Sequence, residues 1–445
     1  MDLTGRRLAE LARALNAGET SSRALTEAAL EAIAADGRAF THVDFDGARS
    51  VAEACDAQRA RGDVPSPLAG IPISVKDLFD VAGEPTPAGS LILREAAAAK
   101  DDAPVVARLK RAGAVILGRT QMSEFAFTGI GLNPHWPVVA NPHDEHRVTG
   151  GSSSGAAAAV ARGQGAVGIG TDTGGSVRIP AAFCGLTGFK PTQRRITREG
   201  TFPLSPALDS IGPIANSVAC CRTVDGLISD ASASVHAPLA LAGLRFAVPQ
   251  ELVLADLDAA VAAAFAAALR RLSAAGARIE DLHIPEIARL PEINARGTLA
   301  NAEAYAVHRD AGLLGKRDRY DPNVIARIEI GGRMSADDVR GIQEERAALI
   351  AATDAKTKAF DALLVPAVAI VAPRIAGLDE PQAFARANAL ALRNASLVNF
   401  LDRCALSVPM QEGGALPCGL MVAGETMGDA RLLAIGEAIE AALAR

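Results

Sequence analysis

Apolar residues recur along this chain with two spacings. Leu25, Ala29 and Ile33 fall on one face of a helix, as do Leu257, Val261, Phe265, Leu269 and Leu272. The short apolar runs at 68–75, 114–117, 166–170, 243–248 and 361–366 have strand length instead. Residues 8–35 predict two helices broken near Gly18, and helical patterning resumes over 47–61. A helix over 102–113 is expected, with Asp102 as its cap and Pro104 in its first turn. The alanine-rich run 156–162 predicts another, and 429–443 a last one bearing Leu432, Ile435, Ile439 and Leu443 on one face. Residues 278–284 return as a strand after the 257–272 helix, and 295–334 read as mainly helical. Runs 62–67, 129–147 and 229–241 read as loop or surface connection. Alternating helices and strands predict an α/β protein, and 243–284 a βαβ-like unit joined to its sheet.

Composition narrows this picture. The 445 residues are 49% hydrophobic, ample for a sizeable core, and neither a repeat nor a long linker divides them, so one domain is expected. A formal charge of −6 argues against a nucleic-acid surface. The nearest basic clusters, Arg59 with Arg61 and Arg194-Arg195 with Arg198, read as solvated surface. Cys55, Cys184, Cys220, Cys221, Cys404 and Cys418 are scattered without metal spacing, which predicts reduced, buried thiols and no metal site. Without a signal-like start or an apolar run of roughly 18 residues, the expected location is cytoplasmic, with no membrane partner.

The densest chemistry lies between Thr149 and Thr192. Two small-residue turns, Gly150-Gly151-Ser152-Ser153-Ser154-Gly155 and Thr173-Gly174-Gly175-Ser176, bracket a helix-then-strand unit. A serine nucleophile needs a base within hydrogen-bond reach. None of the seven histidines sits in a local motif. Ser153 matches the centre of G-x-S-x-G, but the polar run before it reads as loop where that elbow requires a strand. A distant histidine stays open. The other base is a lysine made neutral by burial. Only seven of the 45 basic residues are lysines, and Lys76 ends the apolar run Gly70-Ile71-Pro72-Ile73-Ser74-Val75. Its plain alternative is a strand-end lysine paired with Asp77.

Pro72-Ile73-Ser74-Val75-Lys76-Asp77, the Gly150–Gly155 turn and Gly170-Thr171-Asp172-Thr173-Gly174-Gly175-Ser176-Val177-Arg178-Ile179-Pro180 together resemble the amidase signature family. So do Phe183-Cys184-Gly185, Gly188-Phe189-Lys190-Pro191-Thr192 and Leu208-Asp209-Ser210-Ile211-Gly212-Pro213. The resemblance spans nearly the whole chain and is strongest over 68–213. It implies one large α/β domain, a mixed twisted sheet covered by helices on both faces. Residues 1–67 would form N-terminal helices, 68–213 the catalytic core, 230–345 a variable substrate funnel, and 346–445 the return to the core.

The resemblance also implies an amide hydrolase without metal or organic cofactor, acting on a small-molecule amide. Ser176 matches the nucleophile, Lys76 the base, and Ser152 the relay serine that follows a cis peptide, here Gly151–Ser152. Backbone N–H groups of Thr173, Gly174, Gly175 and Ser176 would form the oxyanion hole, with Asp172 and Arg178 supporting the loop. Met122, Ser123 and Ser153 match positions near substrate. Ser154 and Thr149 depart from the usual glycine and proline, which bears on substrate fit. Glu124 suits either a substrate amine or a helix cap, and Trp136 either a substrate wall or packing. A homodimer is compatible with this reading. The catalytic subunit of a glutaminyl/asparaginyl-tRNA amidotransferase shares the signature. A nucleotide-binding protein is the distant alternative: Gly163-Gln164-Gly165-Ala166-Val167-Gly168 matches G-x-G-x-x-G, but after a helix and before a strand, the reverse of the dinucleotide order.

Overall fold

A computed structural model describes residues 2–230 and 239–444. The chain opens with α1 (Leu8–Asn16), α2 (Ser22–Ala35), β1 (Phe40–Val43) and α3 (Phe45–Ala60). Then come β2 (Pro72–Lys76), α4 (Pro104–Arg111), β3 (Val115–Thr120) and the ribbon β4 (Ala140–Asn141) with β5 (Asp144–Val148). α5 (Ser154–Ala161), β6 (Val167–Asp172), α6 (Arg178–Phe183), β7 (Thr187–Lys190), β8 (Ser210–Ala215) and α7 (Val218–Ile228) complete the first half. The second half runs β9 (Arg245–Pro249), α8 (Ala259–Ala274), β10 (Arg278–Leu282), α9 (Leu290–Ile293), α10 (Leu299–Asp310), α11 (Pro322–Gly332) and α12 (Ala336–Thr357). It closes with β11 (Ala362–Pro366), α13 (Pro381–Phe400), β12 (Ala405–Pro409), β13 (Gly419–Ala423) and α14 (Asp429–Leu443).

Eleven strands form one mixed sheet in the order β1-β3-β2-β6-β8-β7-β12-β13-β11-β9-β10, flanked by helices. This is the α/β single domain expected. The βαβ unit is also present: β9 and β10 pair in parallel around α8 and join the sheet through β11. Its outer strand, β10, carries Arg278, Glu280 and Asp281, charges that discourage further pairing at a sheet edge. The central strands β2, β6 and β8 are buried throughout.

Several expectations change. Residues 141–147 are not loop: Asp144–Val148 pairs with β4, and Val148 N–H reaches Pro373 O at 3.0 Å. Within β5 the polar residues Glu145 and His146 are exposed while β4 beside it is buried, so polar side chains hide a strand bonded through its main chain. Asp102 does not cap α4; Ala103 does, and the Asp102 carboxylate accepts from Ala82 N–H and Lys110 Nζ. Arg195 is not solvated surface: it is 8% exposed and pairs with buried Asp225 at 2.7 Å. The connection expected over 229–241 falls largely on 231–238, outside the described residues. The six cysteines are buried and free. No described helix is long and apolar enough to cross a membrane.

Candidate active site

β2 and β6 are parallel neighbours, with Ser74 opposite Gly168 and Val75 opposite Ile169. Their C-terminal ends therefore emerge together, and ligand sites in α/β sheets form outside such ends. Lys76 ends β2 and Asp172 ends β6, so the sheet register brings the two signature segments side by side. Between them lies α5, buried on all sides and rich in alanine. Its first turn touches the neighbouring main chain: a Cβ on Gly155 would sit 2.6 Å from Gln121 N.

Lys76 is wholly buried, and its Nζ donates to Ser152 Oγ at 2.8 Å and to Thr171 Oγ1 at 2.9 Å. Burial lowers its pKa to about 7, against the pull of the Asp172 and Asp209 carboxylates. It is not paired with Asp77. That carboxylate turns the other way, accepting from Thr41 Oγ1 and Gly89 N–H. Burial raises the Asp77 pKa to about 6. The Gly151–Ser152 bond is cis. Ser153 N–H donates to Ser176 O at 3.2 Å, which ties the two serine turns together.

The loop carrying Ser176 is wrapped around one carboxylate. Asp172 Oδ1 accepts from Gly175 N–H at 2.8 Å, Arg178 Nη2 at 2.9 Å and Asn399 Nδ2 at 2.9 Å. Its Oδ2 accepts from Val177 N–H at 3.1 Å and Arg178 Nε at 3.1 Å. Burial opposes this charge, yet Arg178 prevails and holds Asp172 well below the usual carboxylate range. Gly175 has φ +125°, and a Cβ there would lie 2.5 Å from Ala395 Cβ, so glycine is required.

These bonds revise the expected oxyanion donors. The Gly175 N–H is taken by Asp172 and is not open to a substrate. Thr173, Gly174 and Ser176 line a cavity of about 580 Å³, and among the described residues their N–H groups meet no acceptor. Ser176 is 3% exposed and faces this cavity, while Lys76 and Ser152 lie behind it. The Thr173 hydroxyl donates to Asp209 Oδ1, and burial raises the pKa of that acid to about 6.

Met122, Ser123 and Ser153 do not line the cavity; all three are buried behind its wall. Ser123 N–H donates to Ser152 O at 3.1 Å, and its hydroxyl bonds Thr128, so it braces the serine turn. The wall residues from this segment are Ala126, Phe127 and Thr128. Glu124 neither meets the cavity nor caps its own turn. It accepts from Ser90 Oγ and from Asp321 N–H, with His135 Nε2 3.0 Å away. Trp136 lies outside the lining, half-buried beneath Arg94 at 5.3 Å. Among the described residues no histidine lines the cavity, and buried His308 sits against the Tyr320 hydroxyl at 2.7 Å with a pKa lowered by burial to about 4.

Sequence reasoning missed Thr171, Asp209 and Asn399. The first two stand inside signature segments and could have been marked there. Asn399 could not, because α13 carries no motif and its buried Asn388, Asn394 and Asn399 interrupt the apolar spacing. From the segment 230–345, Leu290, Pro291, Asn294 and Arg327 line the cavity, and so does α13 from Ala385 to Phe400.

The chain belongs to the amidase family, whose model matches residues 24–433. It is 36% identical to 2-amino-5-chloromuconic acid deaminase of Comamonas testosteroni, over 98% of this chain and 95% of that one. It is 34% identical to a glutamyl-tRNA(Gln) amidotransferase subunit of Roseiflexus sp. (strain RS-1), over 97% and 95% of the two chains. A solved amidase crystal structure, 33% identical, superposes with a TM-score of 0.88 over 98% of this chain and 99% of that one. The relatives are amidohydrolases and amidotransferase subunits acting on C–N bonds.

Proposed function

We propose that this chain hydrolyses a small-molecule carboxylic amide through an ester on Ser176. The observation that carries the reading is a wholly buried lysine, its pKa lowered to about 7 by burial, 2.8 Å from a serine hydroxyl. In its neutral form Lys76 accepts the Ser152 proton as Ser152 takes the proton of Ser176, whose Oγ attacks the amide carbon. The oxygen that becomes negative meets the N–H groups of Thr173, Gly174 and Ser176, donors already in place before charge develops. The proton returns through Ser152 to the departing nitrogen, and the C–N bond breaks. Water then attacks the ester by the same path in reverse and frees the acid. Asp172 and Arg178 act by holding the loop.

A fluorophosphonate should label Ser176, with mass spectrometry as the readout, and Ser176→Ala should remove both label and ammonia release. Label on Ser153 or another serine would overturn the assignment. A second reading, the catalytic subunit of a tRNA-dependent amidotransferase, is favoured by the 34% identity with such a protein over 97% of this chain. Amide hydrolysis by the purified chain alone decides for the first reading; activity appearing only with partner subunits and charged tRNA decides for the second.

A further inference from the structure

Among the charged side chains lining the Ser176 cavity, Arg327 on α11 is half-buried and its guanidinium has no polar partner among the described residues. Its Nε is buried with no hydrogen-bond acceptor, and among the described residues no carboxylate pairs with its guanidinium. What it does touch is a ring: Phe127 lies beneath it at 4.7 Å. Arg393, also in the lining, differs, because its Nε donates to Asn394 Oδ1 at 3.0 Å and exposed Asp256 lies nearby. A neutral donor joins Arg327 in the same cavity. Asn388 is 3% exposed and spends its Oδ1 on Gly129 N–H at 2.8 Å, while its amide NH₂ has no acceptor among the described residues.

A cation partly withdrawn from water, with its Nε buried and lacking an acceptor, carries a desolvation cost that an anion in the cavity would offset. The guanidinium fork matches a carboxylate in two parallel hydrogen bonds, and a ring beneath it keeps the fork flat and open on one edge. The platform is fixed relative to the serines. Glu124 Oε2 accepts the N–H of Asp321, the N-cap of α11, at 2.7 Å. Phe127 stands two residues before Gly129, whose carbonyl accepts Gly151 N–H at 2.8 Å. Leucine, alanine and phenylalanine side chains make up much of the cavity lining, so the body joining the two ends of a ligand is apolar.

We infer that Arg327 determines specificity by binding a carboxylate on the substrate, so that the preferred substrate is an amide that also carries a carboxylic acid, such as the monoamide of a dicarboxylic acid. This rests on Ser176 being the nucleophile of the same cavity.

The test is protection of Ser176 from a fluorophosphonate, read by mass spectrometry, in the wild type and in Arg327→Met. Protectants are glutarate and adipate, the corresponding product acids, and pentanamide as a neutral amide. Losing a charge-assisted hydrogen bond makes protection by the diacids weaker by roughly 10- to 100-fold in Arg327→Met, while protection by pentanamide changes little. Arg327→Lys restores part of the diacid protection. Equal diacid protection in both proteins, or none in the wild type, overturns the inference. So does a Tm lowered by Arg327→Met, since that marks a structural role; the unpartnered cation predicts an equal or higher Tm. If Ser176 takes no label in any sample, the nucleophile assignment falls instead, and a Tm rise with glutarate in the wild type but not in Arg327→Met still decides the arginine.

Discussion

The floor and the wall of the cavity are built in opposite ways. At the floor, from Thr171 to Arg178, the Asp172 carboxylate accepts five hydrogen bonds shorter than 3.2 Å, from Gly175, Val177, Arg178 and Asn399. The wall, from α9, α10, α11 and α13, is mostly leucine and alanine, and its Arg327 has no polar partner among the described residues. The floor is saturated, so it holds one geometry; the wall is sparse, so its polar needs can be met from outside. The difference teaches that chemistry and selectivity can reside in separate parts of one cavity. Substitutions at the floor should act on kcat and stability, and those at the wall on which amide is taken.

The largest effect should come from Lys76→Met. Loss of a general base typically lowers kcat/KM by roughly 10²–10⁴-fold. Stability should move the other way. The folded pKa is about 7 against an ordinary value of 10.5, so between these values the unfolded chain binds more protons and stability rises with pH. Removing the amine should thus raise Tm most at about pH 6, with the gain fading as pH climbs from 7 toward 10. A Tm lowered at pH 6 would break the view of the floor as the host of a disfavoured charge.

Next is Arg178→Ala, which leaves Asp172 buried and unpaired. Breaking a buried ion pair costs about 3–5 kcal/mol, measurable by urea unfolding. A loss below about 1 kcal/mol, the range of a surface pair, would contradict the saturated floor. Wild-type kcat/KM should rise with pH through an apparent pKa near 7 as Lys76 loses its proton, then level off. A rate that falls across that interval would remove Lys76 as base. The smallest effect belongs to the wall. Leu290→Val removes one methylene, costs less than about 1.5 kcal/mol, and should shift preference toward a slightly longer amide with kcat retained. A kcat lost along with KM would show that wall and floor are coupled.

Much of the floor was legible because each of its residues sits in a short motif that can be read locally. Lys76 ends an apolar strand, Ser152 and Ser176 stand in small-residue turns, and their types and order carry the resemblance. The same cue overreached at Gly175, where only the direction of one N–H separates a donor to Asp172 from a donor to substrate. It overreached again at Met122, Ser123 and Ser153, which are near the site in sequence but lie behind its wall. The wall was hardly legible. α12 was not foreseen because few of its 22 residues are buried. α13 escaped because asparagines at 388, 394 and 399 sit among its buried positions, each reaching a distant partner.

The sequence by itself determined the α/β alternation, the βαβ unit and the candidate serines and lysine, since helix and strand periods and glycine-rich turns are local properties. Tertiary structure alone decided which groups meet. Burial made Lys76 a weak acid near neutrality, the β2–β6 register set it beside Thr171, and α13 closed over Asp172 from more than 200 residues away. Desolvation and pairing depend on neighbours in space, and no local pattern encodes them.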